Sequence, residues 1–233
     1  MKISERLKRI KIFSYFRELS IVIIGVLVTL AITDKVNESS KQKEVKETLQ
    51  LVQLELQNNL EQLEKMKTIH HEDTRMLRVF RNHLKDIKAI PADTLMKYPN
   101  LFGRILEFNP KKDAYDVFKS SALMQYVKDK VLILELMTCY SALSEIENAI
   151  HIYSEMKSEA IQEFKQLDYD IYSDAWSMFM QNNPYPYFEL LLRSNDTRRF
   201  LNHGVAVFDE EEIFDGTKIL LENMISKIEK KYK

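Results

Sequence analysis

The sequence predicts an all-α protein, with an N-terminal transmembrane helix followed by a long antiparallel helical hairpin or bundle carrying short accessory helices. Three observations carry that prediction. Only 4 Gly and 5 Pro occur in 233 residues, where an average chain of this length holds roughly 16 and 12. Between Gly25 and Pro91 neither residue occurs, so nothing in that stretch forces a helix to break. Two long segments repeat apolar residues in alternating steps of three and four, and no segment shows sustained period-two alternation bounded by turn residues.

The first element is set by charge and hydropathy together. Residues 1–18 hold six cations and two anions, and residues 19–33 hold no charge at all. Fifteen helical residues span about 22 Å, short of a hydrocarbon core of roughly 30 Å. Ile12, Phe13, Tyr15 and Phe16 extend the apolar stretch backward across Arg17 and Glu18, whose side chains can snorkel to the interface. A single span over roughly residues 13–33 results. The cationic end stays cytoplasmic by the positive-inside rule, which sends the remainder across the membrane. Two readings compete with this anchor. A cleaved signal needs a small-x-small site, which Ala31-Ile32-Thr33 supplies poorly. A buried core helix has no reason to be cationic at one end only.

Residues 16–38 resemble the opening of an uncharacterised bacterial family of single-span, membrane-anchored helical proteins, a domain of unknown function. Glu18 falls on the family's acidic position, Ile24-Gly25 on its I-G pair and Asn37-Glu38 on its N-E pair. Arg17 and Val36 depart from the family's Gly and Trp. Residues 108–121 are similar to its second pattern, with Pro110, then Ala114-Tyr115, then Ser120-Ser121. The resemblance implies a bacterial inner-membrane location and no chemistry. The expected division is therefore 1–34, a cytoplasmic basic segment and transmembrane helix, and 35–233, a periplasmic helical domain.

The first long helix carries its stripe at Leu49, Val52, Leu56, Leu63, Met66, Leu77, Phe80, Leu84 and Ile87, interrupted by Asn59, His70 and Asp73. The second runs through Leu132, Leu136, Cys139, Leu143, Ile146, Ile150, Tyr153, Ala160, Phe164 and Leu167, with only Lys157 out of character. Two such stripes are best covered by packing on each other antiparallel. Cys139 lies in the seam and reads as core. Between the stripes, residues 91–128 form a linker cut by Pro91, Pro99, Gly103 and Pro110, with short helices over 112–120 and near 123–127. Asp129 is placed to cap the second long helix. Beyond Leu167 the sequence predicts an aromatic stretch and a short helix over 187–193. A turn capped by Asp196 follows, and then a last helix over 210–232 opened by Asp209 and Glu212. The stripe of that last helix is expected at Ile213, Thr217, Leu220, Met224 and Ile228.

Composition excludes several chemistries. The four Gly stand too far apart for a phosphate loop, a dinucleotide fingerprint or a nucleophile elbow. A single Cys allows no internal disulfide and no cysteine-rich zinc site. A net charge of −1 gives no nucleic-acid footprint. Asp168, Asp170 and Asp174 do not make a calcium loop, because Ser173 and Phe179 stand where Gly and Glu are needed.

What remains are three groups. His70 and Asp73, with His151 on the second helix, are weak metal candidates. The same residues also read as a polar layer that sets register in a bundle. Tyr172, Trp176, Phe179, Tyr185 and Tyr187 form an aromatic segment suited to a partner or ligand, or to closing the open end of the hairpin. Glu18 is an ionisable group near the membrane, able to pair with a partner helix or to snorkel. The expected function is a non-catalytic, sensor- or scaffold-type module that binds a protein partner or ligand outside the cytoplasm, or a second copy of itself. It expects no cofactor and no nucleic acid. The alternative is a membrane-tethered enzyme with a metal site on the bundle.

Overall fold

The structure, a computed structural model, describes the backbone of residues 2–98, 101, 104–165, 169–207 and 211–232. Side chains are described at 23, 24, 27, 29, 35–98, 101, 104–160, 162, 170–202 and 213–232. The fold is all-α, with eight helices and no strand among the described residues. In chain order these are α1 (Lys2–Asn82), α2 (Ala92–Met96), α3 (Asp113–Ser120), α4 (Lys130–Lys165), α5 (Tyr169–Met180), α6 (Tyr185–Leu191), α7 (Asn195–Val207) and α8 (Glu211–Tyr232). Single 3-10 turns lie at Ile87–Ala89 and Leu123–Tyr126.

The absence of Gly and Pro after Gly25 has its expected result: α1 runs unbroken for 81 residues, about 120 Å at 1.5 Å per residue. Its stripe is buried from Val45 to Phe80, polar interruptions included, with Leu84 half-buried beyond the helix end. Residues 35–40 are exposed, as are Ile23, Ile24 and Leu27. Among the described residues no helix is long and apolar enough to cross a membrane. The expected span over 13–33 lies mostly outside the described side chains, and Glu18 lies outside them as well.

One large expectation is corrected: the long helices run parallel, not antiparallel. Gln42 donates to the Tyr126 carbonyl just ahead of α4 (2.8 Å), Tyr140 donates to Glu55, and Lys157 pairs with Asp73 (2.8 Å). The sequence separations are 84, 85 and 84, the same to within one residue along both helices. The reason lies in the linker, which does not turn tightly but carries the chain back. Arg104 meets Asp73, and Lys111 meets Asn59, seven strap residues and fourteen α1 residues further down. Seven extended residues cover about 23 Å, and fourteen helical residues cover about 21 Å. Residues 104–112 are therefore an extended strap, in which Pro110 removes one N–H and biases Asn109 away from helix. The strap alternates Leu106, Phe108 and Pro110 inward with Ile105, Glu107 and Asn109 outward.

The antiparallel partner for both long helices is α8. Asp215 and Lys218 pair with Lys67 (2.5 Å) and Glu64 (2.7 Å) of α1, and Gln50 donates to the Tyr232 carbonyl (3.0 Å). On the α4 side Lys227 pairs with Glu135 and Lys231 with Asp129. The buried face of α8 is Phe214, Thr217, Leu221, Met224 and Ile228. This corrects the expected stripe, since Ile213 and Leu220 are each 37% exposed.

Asp129 caps α4 as expected, accepting from the N–H groups of Val131 (3.0 Å) and Leu132 (3.2 Å). Its hydrogen bond from Lys231, and then that from the Leu132 N–H, hold its carboxyl below the ordinary range. The cap of α7 is Ser194, which accepts from Thr197 N–H (3.1 Å), rather than Asp196. Asp209 lies outside the described residues. The aromatic stretch is itself helical, as α5, and ends at Asn182 with φ 65°. There Asn183 N–H reaches Met178 (2.9 Å) and Asn182 N–H reaches Phe179 (3.0 Å), the two bonds of a Schellman cap.

Candidate functional site

An extended strap between two helices has backbone donors and acceptors with no neighbouring strand to satisfy them. Polar side chains set into the apolar seams take that role here. Asn59, fully buried on α1, donates to the Lys111 carbonyl (2.8 Å) and accepts from the Lys111 N–H (2.8 Å). Ser154 of α4 accepts from the Leu106 N–H (3.2 Å) and donates to its carbonyl (2.6 Å). Glu55 accepts from the N–H groups of Ala114 (2.7 Å) and Tyr115 (3.3 Å), at the start of α3, where Lys112 supplies no side-chain cap. The Tyr140 hydroxyl donates to the same carboxylate, and the rings of Tyr140 and Tyr115 stack 4.1 Å apart.

At the other end of the strap Asp73, fully buried, receives Arg104 on one oxygen and Lys157 on the other. Lys157 is likewise fully buried and lies 5.6 Å from the centre of the Tyr153 ring. Burial pulls the Lys157 ammonium below its usual range, with the Asp73 charge opposing. Burial raises the Tyr153 hydroxyl, and the Asp73 charge adds to it. His70 stands between the Tyr153 ring (5.4 Å) and the Phe214 ring (5.6 Å). Burial lowers its pKa to about 4 against the pull of Asp73. Both oxygens of Asp73 are thus committed to cations, and the group fixes where α1, α4 and the strap meet.

The weak metal candidates do not come together. His151 is exposed and pairs with Glu155 (3.2 Å). It lies six residues before Lys157 on α4, about 240° around the helix. Among the described residues no group of three His, Cys, Asp or Glu side chains is placed to hold a metal ion.

The aromatic candidates are brought together, and they face one another. Trp176 stacks on Phe179 (5.2 Å), and Tyr187 meets Trp176 (5.4 Å), Phe179 (5.5 Å) and Tyr172 (6.4 Å) edge-on. Phe188 carries the cluster to Phe80 of α1 (4.9 Å), and the Tyr185 hydroxyl donates to the Ile90 carbonyl (3.1 Å). Burial pushes the Tyr187 hydroxyl up to about 12. The apolar side chains left outward on α5 are Ile171, Met178 and Met180. Cys139 is buried, and burial raises its thiol to about 11.

Asn59, His70, Asp73 and Lys157 are visible in the sequence as interruptions of the stripes. Glu55, Arg104 and Ser154 are not. Glu55 and Ser154 sit one position from a seam residue, and Arg104 stands in a segment without periodicity. Compared with protein-family models, curated proteins and solved structures, the chain matches none.

Proposed function

We propose that the chain is a membrane-anchored, non-catalytic helical module that binds a protein partner or ligand outside the cytoplasm. The observation that carries this reading is α1 itself. One unbroken helix includes the basic leader, the uncharged residues 19–33 and the first long helix of the bundle. It carries exposed Ile23, Ile24 and Leu27 ahead of the first buried position, Val45. A helix of this build joins an apolar segment to the bundle with no hinge between them. The likeness of residues 16–38 to the single-span bacterial family supports the same arrangement and a place in that family. By that likeness and the positive-inside rule, the bundle is periplasmic and the N-terminus cytoplasmic.

The polar cluster is occupied in holding the helices and the strap together. Asp73, Lys157 and Glu55 are each engaged by partners within the fold. The metal-site alternative would need His70, Asp73 and His151 to converge, and His151 faces away with Glu155.

A topology reporter fused after Lys233, together with mass measurement of the mature N-terminus, tests the reading. Reporter activity outside the cytoplasm with Met1 or Lys2 retained agrees with it. Intact chain recovered free in the cytosol without detergent overturns it.

A further inference from the structure

Ser154 and Asn59 grip the strap at Leu106 and Lys111, and between these grips a cleft of about 380 Å³ opens between the strap and α4. That is within the size range of ligand clefts, about 300–1,000 Å³. In an extended chain successive residues turn their peptide groups to opposite sides. Leu106 turns its N–H and C=O to Ser154 on α4, and Lys111, of opposite parity, turns its own to Asn59 on α1. Phe108 shares the parity of Leu106 and lines the cleft. Two strap residues advance about 6.6 Å, or about four residues of α4. Four residues before Ser154 stands Ile150, which has no polar side-chain atom. The Phe108 N–H and C=O consequently have no hydrogen-bond partner among the described residues.

The surroundings fix the chemistry of an occupant. Ile150 and Phe108 are buried and give the cleft an apolar floor. The amides of Asn109 and Asn148 border it, and neither bonds another described residue. Glu107 contributes an exposed carboxylate with no ion pair among the described residues, whereas Glu147 is engaged by Lys112 (2.6 Å). A donor and acceptor on one edge of an extended chain are complementary to the same pair on another chain. We propose that the cleft binds the main chain of an extended peptide carrying a cationic side chain, paired with Phe108 on the α4 side of the strap and held electrostatically by Glu107.

This deepens the binding reading above without depending on the membrane topology. Loss of peptide binding in a chain with the proposed topology removes the cleft alone. The test uses the full-length protein in detergent and fluorescence anisotropy of three labelled, end-blocked pentapeptides. The first is Ala-Val-Lys-Val-Ala, the second has Glu in place of Lys, and the third has the Lys peptide's central nitrogen methylated. The Lys peptide binds saturably, and N-methylation weakens it about tenfold or more, which is ~1.4 kcal/mol. Replacement by the Glu peptide, or Glu107→Lys in the protein, weakens it similarly. Lack of saturation by about 1 mM, where binding free energy is only ~4 kcal/mol, overturns the proposal. So does equal binding of the Glu peptide, or indifference to N-methylation. The methylated peptide leaves the protein unaltered, so a misfolded variant cannot produce the result.

Discussion

The strap with the start of α3 that follows it (residues 104–115) and the aromatic segment at residues 172–188 are both laid on α1, and they are held by different physics. Asn59, Ser154, Glu55 and Asp73 grip the strap one bond at a time, each at a fixed atom. Rings packed edge and face hold the aromatic segment, and the contact of Phe188 with Phe80 joins it to α1. Hydrogen bonds in a buried place are directional and costly to leave unmade, so they specify position. Ring packing is less directional and tolerates small shifts. The strap region therefore sets the register of α1 against α4, and the aromatic end adds burial to a register already set.

The largest effect should come from splitting the buried pair. Lys157→Ala leaves Asp73 charged and buried with only Arg104, and should cost ~3–5 kcal/mol in denaturant unfolding. Replacing both partners, Asp73→Leu with Lys157→Met, should cost less than the single change, since no uncompensated charge remains. A double variant as unstable as the single one would mean that packing, not charge, governs this region.

Next in size is a pH effect confined to the same region. His70 faces Asp73, His71 and Arg78 of its own helix and Lys157 of α4. With burial holding it at about 4, the unfolded chain takes up the proton first as pH falls. The contribution is complete above the ordinary value near 6.5, is lost between 6.5 and about 4, and levels off below. It amounts to at most ~3 kcal/mol. His70→Gln should flatten that part of the stability profile. An unchanged slope in the variant would assign it to other groups.

Shape-conserving substitutions separate the two regions most sharply. Asn59→Leu strands the Lys111 N–H and carbonyl and should cost ~2–4 kcal/mol. Phe188→Leu, at a fully buried position of the aromatic end, should cost ~1–2 kcal/mol. A reversal of that order would refute the contrast. The smallest change is expected at Asn182, whose left-handed backbone ends α5. Asn182→Gly should be neutral or stabilising by ~0.5 kcal/mol, and Asn182→Ala destabilising by ~1 kcal/mol.

Much of this fold can be read from the sequence, and the missing parts share a cause. Periodicity places both long helices, because a helix buried on one face must repeat along it. It also exposes Asn59, His70, Asp73 and Lys157 as breaks in that repeat. Helix direction has no such signature, since a stripe reads the same whether its partner is parallel or antiparallel. The deciding fact is the extended path of residues 104–112, held by side chains far away in sequence. Arg104 and Ser154 gain their meaning only from that path. The one-position error on α8 arose because Ile213 and Phe214, like Leu220 and Leu221, are apolar neighbours. Only packing between two helices chooses between them.

The parallel arrangement of α1 and α4 is tested most directly by two spin-label distances, measured with Cys139 replaced by Ala. Leu51, Leu134 and Ile152 are exposed. A separation of 84 puts Leu134 within one residue of the level of Leu51, and Ile152 lies about 27 Å further along the axis than Leu134. Labels at 51 and 134 should therefore be closer than labels at 51 and 152. The opposite order is what an antiparallel hairpin would give, and observing it would contradict both the strap's path and the register built on it.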